Sequence, residues 1–507
     1  MIAYDLGTGG MKAALYQRDM TAIAEAFVEY RTYYPGPDMH EQRPGDWWDA
    51  VCTSTKALLE QSGISSVNIV GVALSGASLV AIPLNQEGKA LMDRVPIWSD
   101  MRAKIQAERF FKTVDEKTWY TTTGNGFPAA CYSLFKLMWM KENQPEIFRQ
   151  IRCVLGSKDY INYCLTGNIA TDFSYASGTG AYNLCSGRME PEFLQAAGLP
   201  QDIFPTPRPS HDIVGYVTPA ASRKTGLPDG IPVMCGGVDN ACMALGAVGA
   251  AEGRAYVSLG SSAWIPLNSS TPILDFKTRP YVFAHIQEGM FTTAYSLFAG
   301  GSSLRWIRDT LFSELPKDGA YSAMDMLAEK VPPGANGVFF HPGLAGGTMQ
   351  DPSVHLSGAF MGLQLSTTRD ELVRASMEGV AMNLLSSLQL LRSKANVLQP
   401  LFFCGGGSRS AIWMQIFADI LDMELEKSSI DQSAASLGAA AIAARGLGWW
   451  NDYSLIPTLH KARKIYRPVA ENAARYYQLF PLFQRICVMT SELGDAMKAQ
   501  KDREELL

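Results

Sequence analysis

At 507 residues the chain is too long for one hydrophobic core, so two or three domains are expected. It is 47% hydrophobic and 18% charged, a balance that excludes long disorder. Its 44 basic and 49 acidic residues are dispersed, with net charge −5, and no Lys/Arg run could track a nucleic acid or an anionic membrane.

Nine cysteines are scattered without a CxxC pair, most of them inside apolar stretches, as buried reduced thiols are. Six dispersed histidines argue against a built-in zinc site. The N-terminus opens on strand-like sequence without the charged and apolar regions of a secretory signal, and no apolar run is long enough to span a bilayer. A cytoplasmic location is expected.

In chain order, residues 1–16 read as strand, Gly-rich turn and strand, and Thr21–Tyr30 continues extended. Gly45–Gln61 carries apolar residues at helical spacing behind Asp46. Val67–Ser75 and Leu79–Leu84 read as buried strands, and Ala103–Leu165 as mostly helical with a break at Thr123–Pro128. The strand Ile231–Cys235 leads through two glycines to Asp239 and a small-residue helix, Ala241–Gly249. A second strand–turn–strand starts at Arg254. After it come a helix following Gly300–Gly301, a long helix Arg369–Leu391, the strand Leu401–Cys404 and the helix Ala411–Leu421.

Two of these segments are alike. Asp5-Leu6-Gly7-Thr8-Gly9 and Ser258-Leu259-Gly260-Ser261-Ser262 each place glycine and a hydroxyl between two strands, about half a chain apart. Such hairpins expose backbone N–H groups and a hydroxyl to a polyphosphate, which points to a duplicated domain. No G-x-x-x-x-G-K-[ST] is present, so a P-loop is excluded, and Lys12 stands where a dinucleotide fingerprint needs glycine. Asp5 ends a buried strand beside the turn, a costly place for a carboxylate unless it holds a cation such as Mg²⁺ through waters or a hydrogen-bond network. In Gly236-Gly237-Val238-Asp239-Asn240, Asp239 reads either as a helix N-cap or as a general base accepting a hydroxyl proton. Gly405-Gly406-Gly407 at a strand-to-helix junction reads as a loop needing left-handed backbone or as a close approach to a ligand. Trp413 reads as core.

As an ordered set, DLGTGGMK (Asp5–Lys12), GGVDN (Gly236–Asn240), SLGSS (Ser258–Ser262) and GGGSR with Trp413 and Gln415 resemble the FGGY carbohydrate kinases, and among them the xylulokinases. Glu41-Gln42 with Asp46-Trp47-Trp48, Trp98-Ser99-Asp100-Met101-Arg102, Thr123-Gly124-Asn125, Lys158-Asp159-Tyr160, Gly300–Trp306 and Leu437–Ala440 fit the same pattern, which covers residues 1 to about 465. The resemblance implies an α/β protein of two actin-like (ribonuclease H-like) ATPase domains with a central cleft. It places an N-terminal domain at 1–248 and a C-terminal nucleotide-binding domain at 249–465; beyond it the charged residues 466–507 read as a helical tail expected to pack back on the first domain. ATP and Mg²⁺ are the implied cofactors. Asp239 becomes the catalytic base and, with Asp5, the Mg²⁺-associated pair. Gly7, Thr8, Gly9, Lys12, Gly260, Ser261, Ser262, Gly301, Gly405, Gly406 and Arg409 become the nucleotide contacts. Ala77, Ser78, Leu79, Trp98, Asp100, Asp239 and Asn240 are the expected substrate contacts.

The pattern also departs from the family. Ser75–Val80 (SGASLV) stands where xylulokinases have SGQMHG, so Leu79 replaces a sugar-contacting His. His341–Met349 (HPGLAGGTM) lacks the Glu-Arg pair of PYLxGERxP, and Gly10 and Met11 replace hydroxyl residues after the first turn. The expected reaction is ATP-dependent phosphorylation of a hydroxyl of a ketopentose such as xylulose or a related ketose. The alternatives are another polyol, sugar acid or deoxy sugar, or an inactive sugar/ATP sensor. Expected partners are the sugar or polyol and, at most, a second copy of the chain in a homodimer.

Overall fold

Asp5 is carried by the hairpin Ile2–Leu6 and Gly10–Tyr16, closed by a bond from the Gly7 amide to the Gly10 carbonyl (3.1 Å) and pairing Asp5 with Lys12. In the computed structural model, which describes residues 1–428, 430 and 433–504, the chain forms two units. The first comprises Met1–Glu252, Ser270–Thr292 and Ser433–Leu459; the second comprises Gly253–Ser269, Thr293–Gln432 and His460–Leu507.

The sheet of the first unit runs Ala22–Glu29, Gly10–Tyr16, Ile2–Leu6, Val72–Gly76, Pro232–Met234, Ile213–Tyr216. The first three strands are antiparallel neighbours, and Val72–Gly76 joins Ile2–Leu6 in parallel. Ile2, Tyr4, Leu6, Val72 and Leu74 are buried together with Trp47, Val51 and Leu58 from the helix Pro44–Ser62. That helix starts at Pro44, where proline costs no intrahelical bond, and stops at Gly63 in left-handed conformation.

The second unit repeats the order: Phe291–Leu297, Ala263–Ser269, Tyr256–Leu259, Leu401–Cys404, Leu425–Ser428, then Ala462–Tyr466. Tyr256–Leu259 is antiparallel to Ala263–Ser269 and parallel to Leu401–Cys404. The likeness of the two glycine hairpins in sequence thus corresponds to equivalent central positions in two sheets, the second of which carries one more edge strand, Tyr281–Ala284.

Two expectations about domain limits are corrected. Residues 270–292 and 433–459, assigned from sequence to the C-terminal domain, fold into the first unit. The helix Ala434–Gly446 packs so closely on Asp239–Val248 that a Cβ at Gly246 would lie 1.8 Å from the Ala434 carbonyl, and one at Gly438 2.0 Å from the Cys242 carbonyl. Small residues on both helices are what permit the approach. The tail helix Ala470–Glu504 lies within the second unit, where Tyr476 bonds Glu378 (2.6 Å) and Arg374 (2.7 Å) of the long helix Arg369–Arg392. Asn472 and the Val469 amide are held by Asp419.

His341, in the segment that departs from the family pattern, is 1% exposed and stacks on Phe483 of the tail helix at 5.5 Å. Neither ring nitrogen has a hydrogen-bond partner, and burial pushes the imidazole down to about 4. The unfolded chain therefore takes up a proton between about pH 6.5 and 4 that the native state refuses. The stability contribution is complete above pH 6.5 and is lost as pH falls. His341→Phe is expected to remove this loss, a relative gain of roughly 2 kcal/mol at pH 5 over pH 7. Denaturant midpoints of both proteins at the two pH values measure it, and parallel shifts would show that His341 is not the group responsible.

Candidate active site

In the first unit, two carboxylates meet at adjoining strand ends. Asp5 lies on the central strand, and its Oδ1 accepts the Ser75 hydroxyl from the neighbouring strand at 2.8 Å. Asp239 begins the helix Asp239–Val248 directly after the bridge strand Gly237–Val238, which pairs with Ser75 and Gly76. Burial, and then the Asp5 charge, push the Asp239 carboxyl up to about 7. Burial also raises Asp5, opposed by the Ser75 hydroxyl and by Lys12. A desolvated pair of like charges takes up a proton or a cation.

As a cap, Asp239 is poorly placed. Val238 precedes the helix, Asp239 is its first residue, and its Oδ1 takes the adjacent Asn240 amide (2.8 Å). A capping side chain would bond an amide two or three residues on.

The first glycine turn is exposed at Thr8 and Gly9. The Trp98 indole donates to the Thr8 hydroxyl (2.9 Å), Gln42 to the Thr8 carbonyl (2.7 Å), and the Tyr30 hydroxyl to the Gly7 carbonyl. Trp98 is 39% exposed, so it ties the turn to open surface. Asp100 is different: it is fully buried, with its oxygens taken up by Arg102 and the His40 amide, while Arg102 also bonds Glu41. It supports the Trp98 segment from behind and offers no oxygen to a ligand.

Ala77 is half-buried. Its amide bonds the Leu6 carbonyl, and its own carbonyl accepts from Ser157 and Tyr175. Ser78 is 8% and Leu79 1% exposed, and Leu79 has φ 60°, a left-handed conformation rare for leucine. A Cβ on Gly178 would stand 3.1 Å from Leu79 Cδ2 and 3.7 Å from the Tyr281 hydroxyl. The raised Tyr281 hydroxyl is shaped by burial and then by Asp239, and it bonds the Asn240 side chain. Sequence reasoning missed Tyr281, because segment 270–292 was assigned to the other domain.

The second unit holds a cavity of about 500 Å³. Gly260, Ser261, Gly301, Gly406 and Arg409, all expected nucleotide contacts, line it; Ser262 and Gly405 do not. The helix Gly301–Leu311 begins against the hairpin tip, with the Gly301 amide bonding Gly260 O (2.8 Å) and Ser302 N bonding Ser261 O (2.9 Å). Arg305 donates to the Ser261 hydroxyl at 2.6 Å. A hydroxyl and two guanidinium groups suit a phosphate, while Leu259, Leu304, Met377 and Trp413 give an apolar wall. Arg305, Tyr321 and Asp325 were not singled out from sequence. Asp325 is half-buried, accepts the Ser410 hydroxyl (2.8 Å), and is raised by burial. Trp413 is 2% exposed and donates to Met377 O, so it is core that borders the cavity.

Two sheets of matching strand order, each with its glycine hairpin, define a two-domain actin-like ATPase fold. Known proteins carry this further. Residues 1–246 match the N-terminal domain and residues 255–447 the C-terminal domain of the FGGY family of carbohydrate kinases. The chain belongs to that family, whose members are kinases that use ATP. A xylulose kinase of Bacillus subtilis is 29% identical over 501 residues, covering 98% of this chain and 99% of its own. A gluconokinase of Bacillus licheniformis is 28% identical over 95% and 94%. The crystal structure of xylulose kinase from Rhodospirillum rubrum superposes with a TM-score of 0.89 at 29% identity, covering 97% of this chain and 99% of that one.

Proposed function

We propose that the chain transfers the terminal phosphoryl group of ATP to a hydroxyl of a ketopentose or a closely related polyhydroxylated compound, with Asp239 as the base. The observation that carries this is the Asp239 carboxyl itself: it heads a helix beside Asp5, is not engaged in a conventional cap, and is pushed to about 7 by burial. A base is most effective with its pKa near the working pH.

The second unit's cavity suits the nucleotide, with Ser261, Arg305 and Arg409 at its polar end and Gly406 against the base or ribose. Thr8, Gly9 and Lys12 of the first hairpin are proposed as further phosphate contacts. Among the described residues no group of three or more His, Cys, Asp or Glu could hold a metal. Two buried carboxylates, both raised by burial, fit Mg²⁺ bound mostly through water and phosphate. Such an ion supplies charge neutralisation on the phosphates. Trp98, Asn240 and Tyr281 are the groups proposed to orient the sugar, and Asp239 accepts the attacking hydroxyl's proton as the oxygen bonds to phosphorus.

All nine cysteines are free thiols, which fits a reducing, cytoplasmic location. No described helix is long and apolar enough to cross a membrane.

A coupled ADP-release assay over ketoses, polyols and sugar acids tests the reading; no sugar-dependent ADP release anywhere on the panel would overturn it. Leu79 neither donates nor accepts a hydrogen bond. D-xylulose is therefore expected to fall below a deoxy or differently configured relative in kcat/KM, by roughly 10- to 10²-fold, since apolar walls discriminate only modestly against an added hydroxyl. D-xylulose giving the highest value would mean another group supplies the contact.

A further inference from the structure

Behind the strand end that delivers Asp239, three charged side chains are buried together: Lys158 and Asp172 at 0% and Asp159 at 1% exposure. Lys158 Nζ contacts Asp159 and lies 3.0 Å from Asp172 Oδ1. Burial alone would lower the ammonium group; the two carboxylates outweigh it and hold it well above its ordinary value, so the charge stays. A buried ion cluster adds little stability over apolar packing of the same volume. Its outward bonds indicate another use.

Those bonds run to one stretch of backbone. Lys158 Nζ donates to the Cys235 carbonyl (3.1 Å), as does Asn162 Nδ2 (2.8 Å). The Gly236 amide donates to the Ser210 carbonyl (2.9 Å), and the Ser210 hydroxyl donates to Asp172 Oδ2 (2.8 Å). Asp172 Oδ2 also accepts the Ser174 hydroxyl (2.5 Å), and Ser174 Oγ in turn accepts the Val238 amide (2.9 Å). The Cys235–Gly236 and Gly237–Val238 peptides are thus each held by a fixed partner, and Asp239 is the next residue. The path is confined further at Gly236, where φ is 76° and a Cβ would meet Leu74 O at 2.2 Å.

A hydroxyl can rotate, and what selects its orientation here is the acceptor-only carboxylate. With its single proton given to Asp172, Ser174 Oγ must present a lone pair to Val238. We propose that Asp172, acting through Ser174, is a positioning residue that fixes the Val238 amide and hence the place from which the Asp239 carboxylate reaches the sugar hydroxyl. The inference rests on the assignment of Asp239 as base. Its chemistry is geometric: misplacing a reacting group by about 1 Å can cost roughly 10²-fold in rate.

The test is Ser174→Ala, assayed with ATP and D-xylulose, or with whichever panel sugar turns over fastest if D-xylulose is slow. Thr225→Val serves as control: it removes an equally buried hydroxyl that bridges Ala221 O and Leu227 N in the helix Pro219–Thr225, away from the Asp239 strand end. The expected result for Ser174→Ala is a kcat lower by roughly 10- to 10²-fold with KM for ATP and sugar within about twofold. Thr225→Val should lose a similar amount of thermal stability and keep kcat. Asp172→Asn should behave as Ser174→Ala does, and if it fails to fold, Ser174→Ala still decides. Lowered stability with unchanged kcat in Ser174→Ala would overturn the positioning role. If Asp239→Asn is inactive while Ser174→Ala is not slowed, the base stands and only the positioning role falls; if Asp239→Asn turns over normally, both fall.

Discussion

Asp239→Asn is expected to lower kcat by roughly 10²–10⁴-fold while leaving the fold and nucleotide affinity close to wild type. The substitution is isosteric, and the bond that Asp239 accepts from the Asn240 amide at 2.8 Å is equally open to an asparagine oxygen. What it removes is the proton acceptor. A carboxyl raised to about 7 by burial and by Asp5 is costly to maintain, and removing its charge should hold or slightly raise thermal stability. Loss of turnover with an unchanged or higher Tm therefore identifies a catalytic group. Near-full turnover would return Asp239 to the role of a local turn residue. ADP release in steady state, with ADP affinity and Tm on the same preparation, measures all three quantities.

The parts of this site that were legible from sequence are those where one short segment carries both the structural and the chemical signal. An apolar strand, a glycine turn with a hydroxyl and a second strand specify the hairpins around Thr8 and Ser261 locally, and the structure places both in equivalent sheets. The helices Arg369–Arg392 and Ala411–Leu421 were readable to within a residue, because an N-cap and an uninterrupted apolar pattern bound them. Tyr281 was not readable. It reaches Asn240 only because segment 270–292 folds into the first unit, and no composition change marks that return. The helix Ala434–Gly446 belongs with it; its run of alanines and glycines was the available signal, since such a surface suits close packing against another small-residue helix. Asp100 was legible as part of the Trp98 segment, but its engagement by Arg102 and the His40 amide is a feature of the folded structure that the sequence reading did not extract. Lys158, Asp159 and Asp172 show the limit of local reading: their meaning lies in bonds to residues 235–238 made across the fold.

Gly406→Val is expected to weaken ATP and ADP binding by about 1–3 kcal/mol, roughly 5- to 150-fold, with sugar KM changed by less than about twofold. The three glycines after Leu401–Cys404 are not equivalent. Gly405 has φ 93°, and a Cβ there would lie 2.6 Å from the Leu259 carbonyl, so it is the residue whose replacement the fold resists. At Gly407 a Cβ would meet the Leu259 side chain at 2.5 Å. Gly406 lies in the single turn Gly406–Arg409 without left-handed backbone, and a Cβ built on it has no atom within 4 Å, although the residue lines the cavity of about 500 Å³. A valine at 406 therefore projects into open space at the cavity wall and meets a ligand before it meets protein. Gly405→Ala should behave in the opposite way, with a lower Tm and loss of both ligands together. Calorimetric ADP titration, sugar KM and Tm on the two variants separate these effects. Undiminished nucleotide affinity in a well-folded Gly406→Val protein would show that the nucleotide does not pass against Gly406. Equal losses for sugar and nucleotide with a fallen Tm would show that this turn supports the second unit as a whole.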